Sequence, residues 1–134
     1  MREPDVLLRR AATVFAAGLL LHTADHFRRG TDILTKHVLA AGTLSTLAAV
    51  VVLALVFTRH RWAPAAAAAL GLSMAFGVTA AHLLPTWSAF SDSLPDGHVS
   101  AVTWVAVLLE IAGAALMGAA GLAALRPREP ARTG

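Results

Sequence analysis

The chain has 134 residues, of which 57% are hydrophobic and only 14% charged, and its mean hydropathy is +0.66. A soluble domain carries about 25% charged residues, so an ordinary water-soluble fold is excluded. There is no cysteine, which removes disulfides, thiolate metal sites, iron–sulfur clusters and a cysteine nucleophile.

Net charge is +3 at neutral pH, but the basic residues fall at the ends of apolar blocks and do not form one patch interleaved with aromatics. That distribution argues against a nucleic-acid partner and for control of membrane topology. The absence of Tyr, with Ala and Arg in excess of Ile and Lys, matches the bias of GC-rich bacterial genomes. The apolar residues run in long blocks without amphipathic periodicity, as expected when lipid is the solvent.

In chain order, the first predicted span covers about 6–27. Its uninterrupted apolar part, 11–21, is short, and a basic start before a short apolar run resembles a secretory signal. No A-x-A cleavage site follows, and Glu3 and Asp5 interrupt the basic start, so a membrane span is the better reading. Arg9 and Arg10 can snorkel to the interface. The second span, about 33–57, ends in an apolar run without a polar side-chain atom over 47–57. The third covers about 62–84, with Pro64 suited to a first turn and Pro85 to a stop. The fourth covers about 99–125 and is stopped by Arg126 and Pro127. The remaining segment, 126–134, is rich in Pro and Arg and reads as a disordered tail. Each span reaches the roughly 20 residues that a bilayer requires. The chain is thus expected to be all-α: one up-down bundle of four transmembrane helices over 1–125, joined by short loops. Gly71 and Ala75 in the third helix, and Ala114, Gly118 and Gly121 in the fourth, would allow close helix contact.

Orientation follows from Lys and Arg. If four helices alternate, Arg2, Arg9, Arg10, Arg59, Arg61, Arg126, Arg128 and Arg132 share one side, and Arg28, Arg29 and Lys36 lie on the other. This bias predicts both termini on the cytoplasmic side of a bacterial inner membrane. Trp62 then marks the inner interface, and Trp87 and Trp104 the outer one.

Histidines carry the sharpest chemical signal. His22, His26, His37, His82 and His98 all fall at the outer ends of the spans, and only His60 lies inside. Within His22-Thr-Ala-Asp-His26 the two imidazoles share one helical face, with Cβ atoms about 5–6 Å apart. Two imidazoles so spaced can chelate one metal, as in the helical H-x-x-x-H of zinc proteases. Here Thr23 follows the first His where those enzymes have Glu, so their general base is missing. Asp25 is a further ligand candidate or an orienter of an imidazole, unless it pairs with Arg28 or Arg29. Imidazole and carboxylate without thiolate suit Zn, Cu(II), Ni or Fe(II). A second option is haem b, held by His22 or His26 together with His82. Four helices with outer histidines loosely resemble membrane cytochromes, although no haem motif specific to that group is present.

Glu110 falls midway along the fourth span, where a carboxyl should face the bundle interior. With Thr103 on the same face it reads as a proton or ion relay below the outer site, or as a contact with a partner helix. Nucleotide-binding loops, nucleophile elbows and catalytic triads are absent, so the sequence points away from an enzyme. The function expected is binding of a transition metal or haem at the outer face, for metal handling, sensing or electron transfer. The competing expectation is an accessory subunit of a homo-oligomer or larger membrane complex, with Glu110 at a helix–helix contact.

Overall fold

The computed structural model describes residues 3–126, and the predicted tail over 127–134 and the charges Arg2, Arg128 and Arg132 lie outside them. Among the described residues there are four long helices and no strand. They are α1 (Glu3–Arg29), α2 (Lys36–Phe57), α3 (Ala63–His82) and α4 (Ala101–Leu125). All four are long and apolar enough to cross a membrane. The protein is a multi-pass, lipid-facing helical bundle.

Helix limits differ from the predicted spans for local reasons. α1 runs two residues further than expected, because Arg28 and Arg29 at its last turn complement the helix dipole and are ion-paired. Gly30 then stops it at φ 90°, a conformation that L side chains rarely adopt. Ile33, taken from its hydropathy as the start of the second span, belongs to a single 3-10 turn (Thr31–Ile33). α2 begins after Thr35, whose hydroxyl accepts the Val38 N–H at 3.1 Å. Trp62, Leu83 and Leu84 flank α3 and lie outside it. Val99 precedes the cap of α4, Ser100, which accepts the Thr103 N–H at 3.4 Å.

The bundle is packed unequally. α4 lies along both α1 and α3, whereas α2 touches α3 and, sparsely, α1. Lipid gives little hydrophobic drive between helices, so close backbone approach must supply the attraction. A Cβ on Gly18 would stand 2.6 Å from the Glu110 Cα, and one on Gly113 2.6 Å from the Phe15 Cα. These pairs make α1 and α4 antiparallel. On the other side of α4, a Cβ on Gly71 would stand 2.5 Å from the Gly118 backbone nitrogen, and one on Gly121 2.6 Å from that of Ala68. Of the small residues predicted for close contact, Gly71 therefore meets Ala114 and Gly118, while Gly121 meets Ala68 and Pro64. On α2 only Ala49, Val52 and Val56 are buried, all in its C-terminal half. Large apolar side chains such as Leu20, Leu44, Val50, Phe76 and Val105 point outward, as lipid contact requires.

Two substitutions separate tight from open packing. Gly18→Ala drives a methyl group into rigid backbone and should lower stability by about 1–3 kcal/mol. Gly42→Ala meets nothing within 4 Å and should instead gain up to about 1 kcal/mol of helix propensity. Thermal unfolding in detergent reads both, and equal Tm values for the two variants would contradict the packing described.

Candidate metal centre

His22 stands seven residues before the end of α1, about 10 Å below it at 1.5 Å per residue, and His26 follows one turn later on the same face. His82 is the last residue of α3. Because α1 and α3 run parallel, with α4 antiparallel to both, these three side chains converge. Ring centroids are 4.5 Å apart for His22 and His26, 4.7 Å for His22 and His82, and 5.8 Å for His26 and His82. One nitrogen from each lies within 4.8 Å of the other two. Imidazole donors about 2.0–2.1 Å from a tetrahedral ion stand about 3.3 Å apart. Small inward rotations would therefore close the triangle on one ion. His22 and His82 are buried and His26 is half-buried.

Each ring is oriented by a neighbour. His22 Nδ1 is hydrogen-bonded to Glu110 Oε2, while its Nε2 is buried without a partner. With Glu110 as a carboxylate, Nδ1 carries the proton and Nε2 keeps a lone pair turned away from that bond. His82 Nδ1 donates to the Asp92 carbonyl oxygen at 3.0 Å. A carbonyl can only accept, so the free lone pair of a neutral His82 is on Nε2 as well. His26 Nδ1 lies 3.2 Å from Arg29 Nη2 and 4.0 Å from Asp92 Oδ2.

Over the cluster sits a lid of paired charges. Arg29 Nη2 donates to Asp92 Oδ2, which also lies 3.5 Å from His82 Nδ1. Asp25 is buried and takes Arg28 through its Nε at 2.9 Å and Nη2 at 2.7 Å, and lies 3.4 Å from Arg29 Nε. Arg28 Nη2 also reaches Ser100 Oγ at 3.0 Å and Thr103 Oγ1 at 3.1 Å.

The predicted residues thus separate. His22, His26 and His82 come together. Asp25 faces guanidinium groups, the pairing weighed as its simpler role, and it contacts no imidazole. His37 is exposed, its ring 5.4 Å from that of Phe90, and His98 is exposed in the loop before α4. Neither joins the three-imidazole cluster. Thr103 is buried in the Arg28 network, apart from the relay expected with Glu110. Glu110 is no separate station beneath the site; it bonds directly to one of its imidazoles.

Asp92, and its pairing with Arg29, were not singled out by the sequence, which offered Arg29 only as a partner of Asp25. The only signals were an acidic residue in the short loop after His82 and an arginine in need of a counter-charge. The α3–α4 loop holds Asp92 in place by folding back over the end of α3. Asp92 N–H donates to the Ala81 carbonyl and Leu94 N–H to that of His82, both at 2.9 Å, and Leu94 is buried. The loop is fastened again by Asp96, whose Oδ2 accepts the Thr86 N–H at 2.6 Å and the Thr86 hydroxyl at 2.8 Å.

Comparison of the chain with protein-family models, with curated proteins and with solved structures gave no match.

The loop carries a pH signature. The Thr86 backbone N–H, then the Thr86 and Ser93 hydroxyls, hold the Asp96 carboxyl below its ordinary value of 3.8. A depressed folded-state pKa stabilises the loop above the ordinary value, and that contribution is lost as pH falls through the lowered one. Slow amide exchange at Thr86 should persist at about pH 5 and disappear only below about 3.8. In Asp96→Ala it should be lost at every pH, and unchanged exchange in that variant would show that the carboxylate does not fasten the loop.

Proposed function

We propose that this protein is an inner-membrane metal-binding protein of bacteria, which holds one divalent transition-metal ion near its outer face through His22, His26 and His82. One observation carries this reading: a buried imidazole nitrogen, His22 Nε2, has no hydrogen-bond partner and belongs to a ring whose other nitrogen is bonded to a carboxylate. Leaving a polar group buried and unsatisfied costs about 1–3 kcal/mol, and a metal ion would satisfy it. A carboxylate behind a ligating imidazole is also the usual way such a ring is oriented and made more basic.

Three imidazoles without thiolate suit Zn, Cu(II), Ni or Fe(II). A three-histidine set leaves one coordination position open. Haem is disfavoured by the triangle itself. Axial imidazoles must approach iron from opposite faces of a flat macrocycle, whereas here a third ring lies within 4.7 Å of both others. The paired lid of Arg29 and Asp92 would bring ion exchange under the control of the α3–α4 loop, which suits metal handling or sensing. Arg9, Arg10, Arg59, Arg61 and Arg126 lie at the opposite end of the bundle, and their excess there supports a cytoplasmic location for that end.

Metal-depleted protein in detergent, titrated with Zn(II) or with Co(II) as a visible probe, should take up one ion per chain. His22→Ala and His82→Ala should lose it while the bundle still inserts, because insertion depends on the apolar spans. Glu110→Gln should retain the fold and weaken binding about 10–100-fold, and His37→Ala and His98→Ala should bind like wild type. A metal-free preparation, indistinguishable from His22→Ala in elemental analysis and absorbance, would overturn the reading in favour of an accessory subunit.

Orientation is tested separately. Reporters fused after residue 126 should read cytoplasmic, and reporters inserted in the loop over 85–96 periplasmic. A loop reporter that reads cytoplasmic would turn the bundle over and put the cluster on the inner face.

A further inference from the structure

In the helices, Gly18, Gly71, Gly113, Gly118 and Gly121 each press on a neighbouring helix, but Gly42 and Gly77 meet no atom within 4 Å of where a Cβ would stand. Both line one cavity of about 600 Å³ bounded by α1, α2 and α3. Its walls are mainly apolar, with Leu19, Val38, Leu70 and Met74 among them, and one end reaches His22, His26, His82 and Glu110. Small-molecule sites commonly span about 300–1,000 Å³. The outer half of α2 has no buried residue, so the gap beside it faces the acyl chains of the bilayer. His22, only 6% exposed and with an unpartnered Nε2, lines the polar end.

We propose that this cavity takes a long-chain fatty carboxylate from the membrane, with its tail between α2 and α3 and its head at the three-histidine site. The inference rests on the metal reading for the partner of the head group. Neutral imidazoles add no charge, and Arg28 and Arg29 are matched by Asp25 and Asp92. A dication with Glu110 as its one counter-charge would leave a single positive charge in a site of low dielectric, where an uncompensated charge is costly. A monoanionic oxygen head neutralises it and fills the coordination position that three histidines leave open.

The test uses full-length protein in nanodiscs, loaded with Co(II), with cobalt stoichiometry measured before any lipid is added. Palmitate should shift the cobalt visible bands. Acetate, which has the head without the tail, and methyl palmitate, which has the tail without the anionic head, should each bind at least about tenfold more weakly, since neither engages both ends of the site. Gly42→Phe and Gly77→Phe put a ring into the cavity without touching the metal cluster. They should keep one cobalt per chain and bind palmitate about tenfold more weakly or worse. Two variants on two helices guard against one failing to fold, and retained cobalt is the check on folding. A cobalt-loaded protein whose spectrum ignores palmitate, or responds equally to acetate or methyl palmitate, overturns the lipid proposal and leaves the metal site standing. So do Phe variants that bind palmitate like wild type. Absence of cobalt from wild type fails the metal reading first and takes the lipid proposal with it.

Discussion

Glu110 sets the constraint around which the rest of the bundle is arranged. A carboxyl group inside the hydrocarbon region has no water to bond, and an acidic side chain near a helix centre costs about 2.5–3.5 kcal/mol even on permissive scales. It must find a partner on another helix, and that partner is His22. The meeting depends on Gly18, which lets the α1 backbone lie against the backbone of Glu110 itself. Gly18 and His22 are four residues apart and so share a face. The contact at the first therefore brings the second alongside the Glu110 side chain. His26 lies on the same stripe one turn further on, beside His82. A single close approach between two antiparallel helices thus accounts for where the cluster forms.

Charge balance governs the rim of the cluster in the same way. Two arginines at the end of α1 suit the helix dipole, but in partly buried surroundings they need carboxylates within reach. Asp25 supplies one from the preceding turn and Asp92 the other from the α3–α4 loop. Asp92 consequently lies between a guanidinium and two imidazoles, 3.5 Å from His82 and 4.0 Å from His26. A dication among the imidazoles would compete with Arg29 for that carboxylate. The loop and the cluster are therefore electrostatically coupled.

Much of this was legible in the sequence, and the misses have physical causes. The four spans could be read because each is a block of apolar residues bounded by charge, proline or glycine. His22 and His26 could be paired by helical periodicity, and His82 joined to them because alternating helices bring the ends of α1 and α3 to one face. The contact between His22 and Glu110 could not be read. Ending α1 near Phe27 made His22 an interfacial residue and left Glu110 below it. Continuation of the helix through Arg29 lowers His22 towards the level of Glu110, which stands nine residues into α4. Gly18 gave no sign of its own, since its importance exists only across the gap to α4. His37 and His98 share one end of the bundle with the cluster but stand outside it, and proximity to one face of a membrane does not bring side chains together.

The unequal packing of the helices gives each a different part. α1, α3 and α4 are locked by backbone contacts at glycine and alanine, and they alone supply His22, His26, His82 and Glu110. Side chains anchored on rigid elements hold a ligand geometry better than side chains on mobile ones. α2 supplies no imidazole to the cluster. It is buried only along its C-terminal half through Ala49, Val52 and Val56, and its N-terminal end is tied to the α3–α4 loop by the Thr35 hydroxyl bonded to the Ala89 carbonyl. Its sparse packing leaves the three helices that position the imidazoles to be held by their own mutual contacts. Were a ligand to enter from the bilayer, access would fall to α2 and precision at the cluster to α1, α3 and α4, so that the two opposed demands would rest on different helices.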